Sequence, residues 1–177
     1  GIVPDSYWAR VRAEWAAAGR IVVNSEWSRD ALVGQGVPAG KLGVVPLCYE
    51  GGGQAGRAAR ILEREGALRV LWVGTVNLMK GFPYLVEALQ GAVGRRVQVR
   101  VAGRIEIRRE RLAGLPGCID LLGPVPRSSV KALFAESDLL VFPTLSDGFG
   151  LVQLEAMAHG LPVIATSNCG RVVTDGE

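Results

Sequence analysis

The strongest constraint on this chain is a rhythm running from residue 68 to residue 165, in which short apolar runs alternate with amphipathic stretches and glycine-bearing loops. Residues 69–73, 119–122, 139–142 and 162–165 read as strands, and Val97, Val99 and Val101 mark a further one. Residues 82–89 read as a helix with Pro83 in its first turn, 129–135 as a helix behind a serine cap, and 151–159 as a helix stopped by Gly160. A shorter helix is expected over 108–113. Strands apolar on both faces and joined by helices require a parallel sheet covered on both sides, an α/β Rossmann-like fold. Open sheets of this kind bind ligands at the carboxyl ends of their strands, in the loops that lead into helices.

Before residue 68 the rhythm is less complete. Residues 7–18 suit a helix and 21–23 a buried strand. Ser25 is placed to cap a second helix, with Glu26 in its first turn and Gly34 and Gly36 near its end. Residues 43–47 read as another short strand. Glu50-Gly51-Gly52-Gly53-Gln54-Ala55-Gly56 then breaks the pattern, because adjacent glycines carry too much backbone entropy for an element interior. The expected division is therefore 1–49 as the end of a first Rossmann-like domain, 50–67 as a linker with a short helix at 57–65, and 68–177 as a second domain incomplete at its end. Two short strands are too small a sheet to stand alone. Bare apolar faces are expected there, with Trp8 or Trp15 partly exposed. Trp8, Trp15 and Trp27 read as helix-packing residues, and Trp72 as core. With no initiator Met and an end inside a turn, the chain is expected to be cut from a longer one.

At 177 residues there is room for one full domain and part of a second, and 49% hydrophobic with 21% charged residues is ordinary for a soluble fold. The net charge of +3 suits anionic ligands without implying nucleic acid. No stretch approaches the apolar length of a membrane span, and no signal-peptide pattern opens the chain. Cys48, Cys118 and Cys169 lack metal-ligand spacing and read as reduced thiols of a cytoplasmic protein. No metal site is expected.

Three loops follow strands. In Gly74-Thr75-Val76-Asn77-Leu78-Met79-Lys80-Gly81, the chain leaves a strand and enters a helix, whose N-terminus attracts phosphate. Lys80 stands at that point. Its alternative is a solvated surface lysine, with Gly74 and Gly81 only turning the chain; spacing leaves both open. The segment is neither a Walker A loop nor a dinucleotide G-x-G-x-x-G. In the second loop, Ser146-Asp147-Gly148-Phe149-Gly150-Leu151, the glycines let backbone N–H groups approach a ligand. Asp147 and Glu155, about a turn into the following helix, can accept hydrogen bonds from sugar hydroxyls; equally, Asp147 can be a turn residue or cap and Glu155 a charge that suits the helix dipole. Thr166-Ser167-Asn168-Cys169-Gly170 reads as an ordinary loop. His159, at a helix end, reads as structural. Arg104, Arg108 and Arg109 read as a solvated basic face.

Taken together, these loops resemble the family 4 glycosyltransferases of the two-Rossmann-domain GT-B fold. Asn24-Ser25-Glu26-Trp27-Ser28-Arg29 and Val44-Val45-Pro46-Leu47 look like the end of that family's first, acceptor-side domain. Val73-Gly74 with Lys80-Gly81 looks like its donor-phosphate loop. Asp147 through Glu155, continuing as Ala156-Met157-Ala158-His159-Gly160-Leu161-Pro162-Val163-Ile164-Ala165, is similar to its E-x7-E motif and the strand after it. The resemblance implies a retaining transfer of a hexose from a nucleoside diphosphate sugar to an acceptor hydroxyl, with no further cofactor. Lys80 would pair with the diphosphate, and Gly74 and Thr75 would border it. Asp147, where a glutamate is usual, would face the sugar, and the amides of Gly148, Phe149, Gly150 and Leu151 would serve sugar and phosphate. Lys80 and Asp147 would then be the catalytic residues. Glu155 would hold the ribose, and the base would lie near Val125 and Pro126. Thr75 stands where many members carry arginine, and Arg171 where a glutamate is frequent. The implied acceptor is a sugar, a lipid-linked glycan or a small molecule, with contact to the cytoplasmic membrane face left open. The alternatives are a non-catalytic nucleotide-sugar-binding module and a sugar-nucleotide epimerase of similar architecture.

Overall fold

The structure, a computed structural model, describes residues 3–50, 66–90, 96–170 and 172–173. The glycine run at 51–56 and the helix expected at 57–65 lie outside the described residues, as does Arg171.

The first described stretch holds helix α1 (Asp5–Ala17), strand β1 (Ile21–Val23), helix α2 (Glu26–Gly34), a 3-10 turn at Ala39–Lys41 and strand β2 (Leu42–Val44). β1 and β2 pair in parallel, Ile21 opposite Leu42. Ser25 caps α2 as its sequence position predicts: its backbone is extended and its Oγ accepts the Ser28 N–H at 3.0 Å. β2 is shorter than the strand expected over 43–47. Its last bond is Val45 N–H to the Val23 carbonyl at 2.8 Å, and Pro46 has no N–H with which to continue the ladder. Neither helix buries a residue. Trp8 stands 40% exposed and meets Tyr7 edge-on at 5.3 Å, so it does not pack helix against helix as expected. Trp15 and Trp27 are half-buried.

The second stretch is built of β3 (Leu68–Val73), α3 (Phe82–Gln90), β4 (Val97–Ala102), β5 (Ile119–Gly123), α4 (Arg127–Glu136), β6 (Leu139–Phe142), α5 (Leu151–Ala158) and β7 (Val163–Ala165). The five strands form one parallel sheet in the order β5-β4-β3-β6-β7. β3 is central, and alternate residues serve opposite faces. Val70 and Trp72 pack with Val99, Val101 and the α3 residues Phe82, Leu85 and Leu89. Leu71 joins Ala102, Leu140, the α4 residues Leu133 and Phe134, and Ala156 of α5. Each large buried side chain contributes about 1.5–3 kcal/mol over an exposed one, which makes β3 the strand that holds both layers on the sheet.

Two boundaries differ from those expected. α4 begins at Arg127, not behind a serine: Pro126 is its N-cap at φ −58°, ψ 142°, with no side-chain cap. The Pro126 carbonyl takes the Ser129 N–H at 2.9 Å, so Ser128 and Ser129 already lie in the first turn. The helix expected over 108–113 is only a 3-10 turn at Arg109–Arg111. Like charges three apart, as at Arg108 and Arg111, oppose helix growth.

The starting end of the sheet is stapled by charge. Asp138, just before β6, accepts from the Arg69 backbone N–H at 2.9 Å, Nε at 3.0 Å and Nη2 at 2.6 Å, and its own N–H donates to the Arg69 carbonyl at 2.7 Å. The hydrogen bond to Asp138 pushes the Arg69 guanidinium above its usual range. Arg100 pairs with Glu136 at 2.7 Å beside it. Among the described residues, no helix is long and apolar enough to cross a membrane.

Candidate functional site

The order β5-β4-β3-β6-β7 reverses direction between β3 and β6: β4 and β5 extend one way, β7 the other. Open parallel sheets prefer to take ligands outside the carboxyl ends of their strands at such a reversal. Lys80 is in the loop after β3, and Asp147 in the loop after β6.

The Lys80 loop is held on both sides. On the β4 side, the Gly74 N–H donates to Ala102 at 2.9 Å, Val76 to Arg104 at 2.7 Å, and Glu106 back to Val76 at 3.0 Å. Gly103 sits at φ +148°, and a Cβ there would lie 1.6 Å from the Gly74 carbonyl oxygen, so two backbones touch where any side chain would intrude. On the β6 side, a Cβ on Gly81, at φ +73°, would lie 1.7 Å from the Pro143 carbonyl oxygen. The Leu145 N–H donates to Met79 at 2.8 Å, and the fully buried Thr144 hydroxyl lies 3.1 Å from the same carbonyl. Within the loop, Asn77 Oδ1 accepts the Lys80 N–H at 2.9 Å.

Lys80 and Asp147 meet. Nζ of Lys80 forms an ion pair and hydrogen bond with Oδ2 of Asp147, their side chains 31% and 19% exposed. The other carboxylate oxygen, Oδ1, accepts the N–H groups of Phe149 at 3.2 Å and Gly150 at 3.0 Å. Asp147 therefore organises the turn into α5. The sequence suggests that the amides of residues 148–151 serve a ligand; in the structure two of them are held by Asp147. Gly150 is the left-handed N-cap of α5, at φ +76°. The Phe149 ring is buried, Leu151 and Thr75 are half-buried, and Gly148 lies at the loop surface facing α2.

Glu155 lies on α5, 19% exposed, with Oε1 3.8 Å from Arg127 Nη2. That contact brings the start of α4 beside Glu155. Of the two base-pocket residues, Pro126 is exposed, whereas Val125 packs against the core beneath α4. Arg104 and Arg108 are exposed, Arg104 3.8 Å from Glu106. His159 is structural: its Nδ1 is 2.7 Å from the Glu155 carbonyl, and its ring stacks on Phe134 at 5.1 Å. The 166–170 loop backs the Asp147 loop, with the Asp147 N–H donating to the Asn168 carbonyl at 3.1 Å. Burial pushes the Cys169 thiol up. A groove of about 790 Å³ lies on the outer side of this loop, lined by Trp27, Asp30, Gln153 and Thr166 among others, and it does not include Lys80, Asp147 or Glu155. Among the described residues, no group of three or more His, Cys, Asp or Glu converges to hold a metal ion.

Sequence reasoning missed Thr144, Gly103 and Arg127. Gly103 had a signal, since it follows an apolar strand as Gly74 does. Arg127 had a weaker one, its place directly after a proline at a helix start. Thr144 had none, because a hydroxyl shared between loops leaves no local pattern.

Residues 67–177 match the family described as "Glycosyl transferases group 1". A D-inositol 3-phosphate glycosyltransferase of Geodermatophilus obscurus is 31% identical over 185 residues, covering 91% of this chain and 41% of that protein. An uncharacterized 41.2 kDa protein in the cps region of Klebsiella pneumoniae is 27% identical over 169 residues, covering 88% of this chain and 45% of that one. Among solved structures, sucrose-phosphate synthase from Thermosynechococcus elongatus is similar at a TM-score of 0.69 and 25% identity, covering 92% of this chain and 44% of that one. Anabaena HepE in complex with UDP and glucose is similar in fold at 0.70 and 21% identity, covering 89% and 47%. The chain thus spans less than half the length of these proteins. A family match over the whole five-stranded sheet, with its reversal of strand order between β3 and β6, makes the chain a member of the group 1 glycosyl transferases.

Proposed function

We propose that this chain is the nucleotide-sugar-binding half of a retaining family 4 glycosyltransferase, which moves a hexose from a nucleoside diphosphate sugar to an acceptor hydroxyl. In this reading residues 68–177 are the donor domain and 1–49 the end of the acceptor-side domain. The observation that carries it is the meeting of Lys80 and Asp147 where the strand order reverses between β3 and β6. A diphosphate placed there would meet one ammonium and the positive end of a helix. Glu155, facing Arg127, would take the ribose hydroxyls, and the base would lie along the exposed edge at Pro126. The UDP complexes of HepE support a nucleoside diphosphate as ligand.

Catalysis would come from positioning and from stabilising the leaving diphosphate, which front-side displacement with retention uses to help deprotonate the acceptor. Lys80 supplies the charge that meets the leaving group, and Asp147 fixes where that charge stands. The test is acceptor-dependent transfer by the full-length protein, with the product's anomeric configuration read by NMR. Donor binding without transfer to any acceptor would point to a binding module. Interconversion of the sugar nucleotide would point to an epimerase, and an inverted product would end the retaining assignment.

A further inference from the structure

The loop that carries Asp147 is held from outside its own sheet. Ser25, the N-cap of α2, hydrogen-bonds through Oγ to the carbonyl oxygen of Gly148, 123 residues away. The Ser28 Oγ, one turn into α2, lies 3.1 Å from the same oxygen and 3.1 Å from Asn24 Oδ1, and donates its one proton to either. Ser25 is buried, and its oxygen also accepts the Ser28 N–H at 3.0 Å, so the two serines form one unit. The fit is close from the other side as well: a Cβ on Gly170 would lie 2.9 Å from Phe149 Cα and 3.0 Å from Ser25 Cβ.

The Gly148 carbonyl and the Phe149 N–H belong to one planar peptide unit. Its oxygen is held by the serines and its N–H by Asp147 Oδ1, while Asp147 Oδ2 holds Lys80. A continuous hydrogen-bonded path thus runs from α2 to the Lys80 ammonium. We propose that Ser25 and Ser28 are positioning residues of the phosphate site: by fixing the plane of the 148–149 peptide they fix the Asp147 carboxylate, and through it the position of Lys80. Docking of the first stretch on the second then sets the strength of the phosphate site. The proposal rests on the reading of the Lys80 loop as a diphosphate site.

Two measurements on the full chain test it. The first is amide hydrogen exchange, which needs no ligand. Ser28→Ala keeps the backbone N–H that Ser25 caps and removes only a hydroxyl, and Ser25→Ala/Ser28→Ala removes both. Exchange at Phe149 and Gly150 is expected to quicken about fivefold in the single variant and more in the double, with β3 and β4 unchanged. The second is titration with UDP and with uridine. UDP affinity is expected to fall about fivefold in Ser28→Ala, while uridine binding stays within about twofold. Unchanged exchange at Phe149 and Gly150 overturns the proposal. So does quickened exchange with UDP affinity intact, or an equal loss for UDP and uridine. A wild-type chain that binds neither UDP nor GDP overturns the diphosphate reading itself, and exchange at Phe149 and Gly150 then decides by itself whether the serines hold the loop.

Discussion

The two ends of the five-stranded sheet both carry ion pairs between neighbouring loops and strands, yet the two pairs are built differently. At the starting end Asp138 is held by three donors from Arg69 and returns a backbone bond, with its side chain only 6% exposed. At the finishing end Lys80 offers a single ammonium to Asp147, in a half-buried pair. A fork locked on a carboxylate and backed by main chain has nowhere else to go. A lone ammonium on a four-carbon stem can exchange one anion for another. The difference separates a charge locked by a fork and by main chain from one held by a single side-chain contact. At the finishing end the close fit lies in the backbone, where glycine turns touch.

The sharpest way to break this contrast is Gly103→Ala. The new methyl would collide with the Gly74 carbonyl in a backbone region that disfavours side chains. A loss of about 3–5 kcal/mol in urea unfolding is expected. A loss under about 1 kcal/mol would show that the glycine turns are not what stiffens the finishing end. Next is Asp138→Ala, which strands a guanidinium that is still partly exposed. Stability should fall by about 2–3 kcal/mol, less than for a fully buried pair. Nucleoside diphosphate affinity of the folded chain should not move.

Lys80→Ala is the counterpart at the other end. It should cost about 1.5–3 kcal/mol in nucleoside diphosphate affinity, roughly ten- to a hundred-and-fifty-fold, and far less for the nucleoside. Stability should fall by about 1 kcal/mol, the upper end for a solvent-accessible pair, because this one is half-buried. A large stability loss with intact affinity would make the two ends alike. Glu155→Gln keeps an acceptor and loses the charge, so a loss of about 1–2 kcal/mol should appear with nucleoside and diphosphate alike if it holds ribose. A loss confined to the diphosphate would move Glu155 away from the ribose. The smallest effect concerns thiols. Cys169 is buried with its ionisation pushed up, whereas Cys48 is exposed. Maleimide at neutral pH should label Cys48 and leave Cys169 unmodified until unfolding, and equal labelling would mean that the 166–170 loop opens freely.

What could be read from the sequence follows from what is local. β3 and β6 were legible because a strand buried on both faces must be apolar throughout, and the α2 cap because Ser25 bonds a residue three positions on. Lys80, Asp147 and Glu155 were legible as candidates because each follows a buried strand at a helix start or first turns, and the structure brings Lys80 and Asp147 together. The turn-capping use of Asp147 Oδ1 was among the alternatives, but the pairing of its other oxygen with Lys80 was not legible. Nor was the reach of Ser25 to Gly148, since nothing in a sequence marks two residues that meet only after the sheet has formed. The α4 start misled because serine is the commoner cap, and Pro126 took that place with backbone geometry alone.

The sequence separation of 67 between Lys80 and Asp147 also orders events during synthesis. At about 5–20 residues per second, Lys80 is made roughly 3 to 13 seconds before its partner. Over that interval β3 can pair with β4 but has no β6 on its other side, and the lysine loop has neither its carboxylate nor the Thr144 hydroxyl to close against. A nascent chain interrupted before residue 139 would hold three of the five strands, with β3 at an open edge, so the arrangement that puts the site at the centre of the fold leaves it unfinished until β6 and the loop after it have been made.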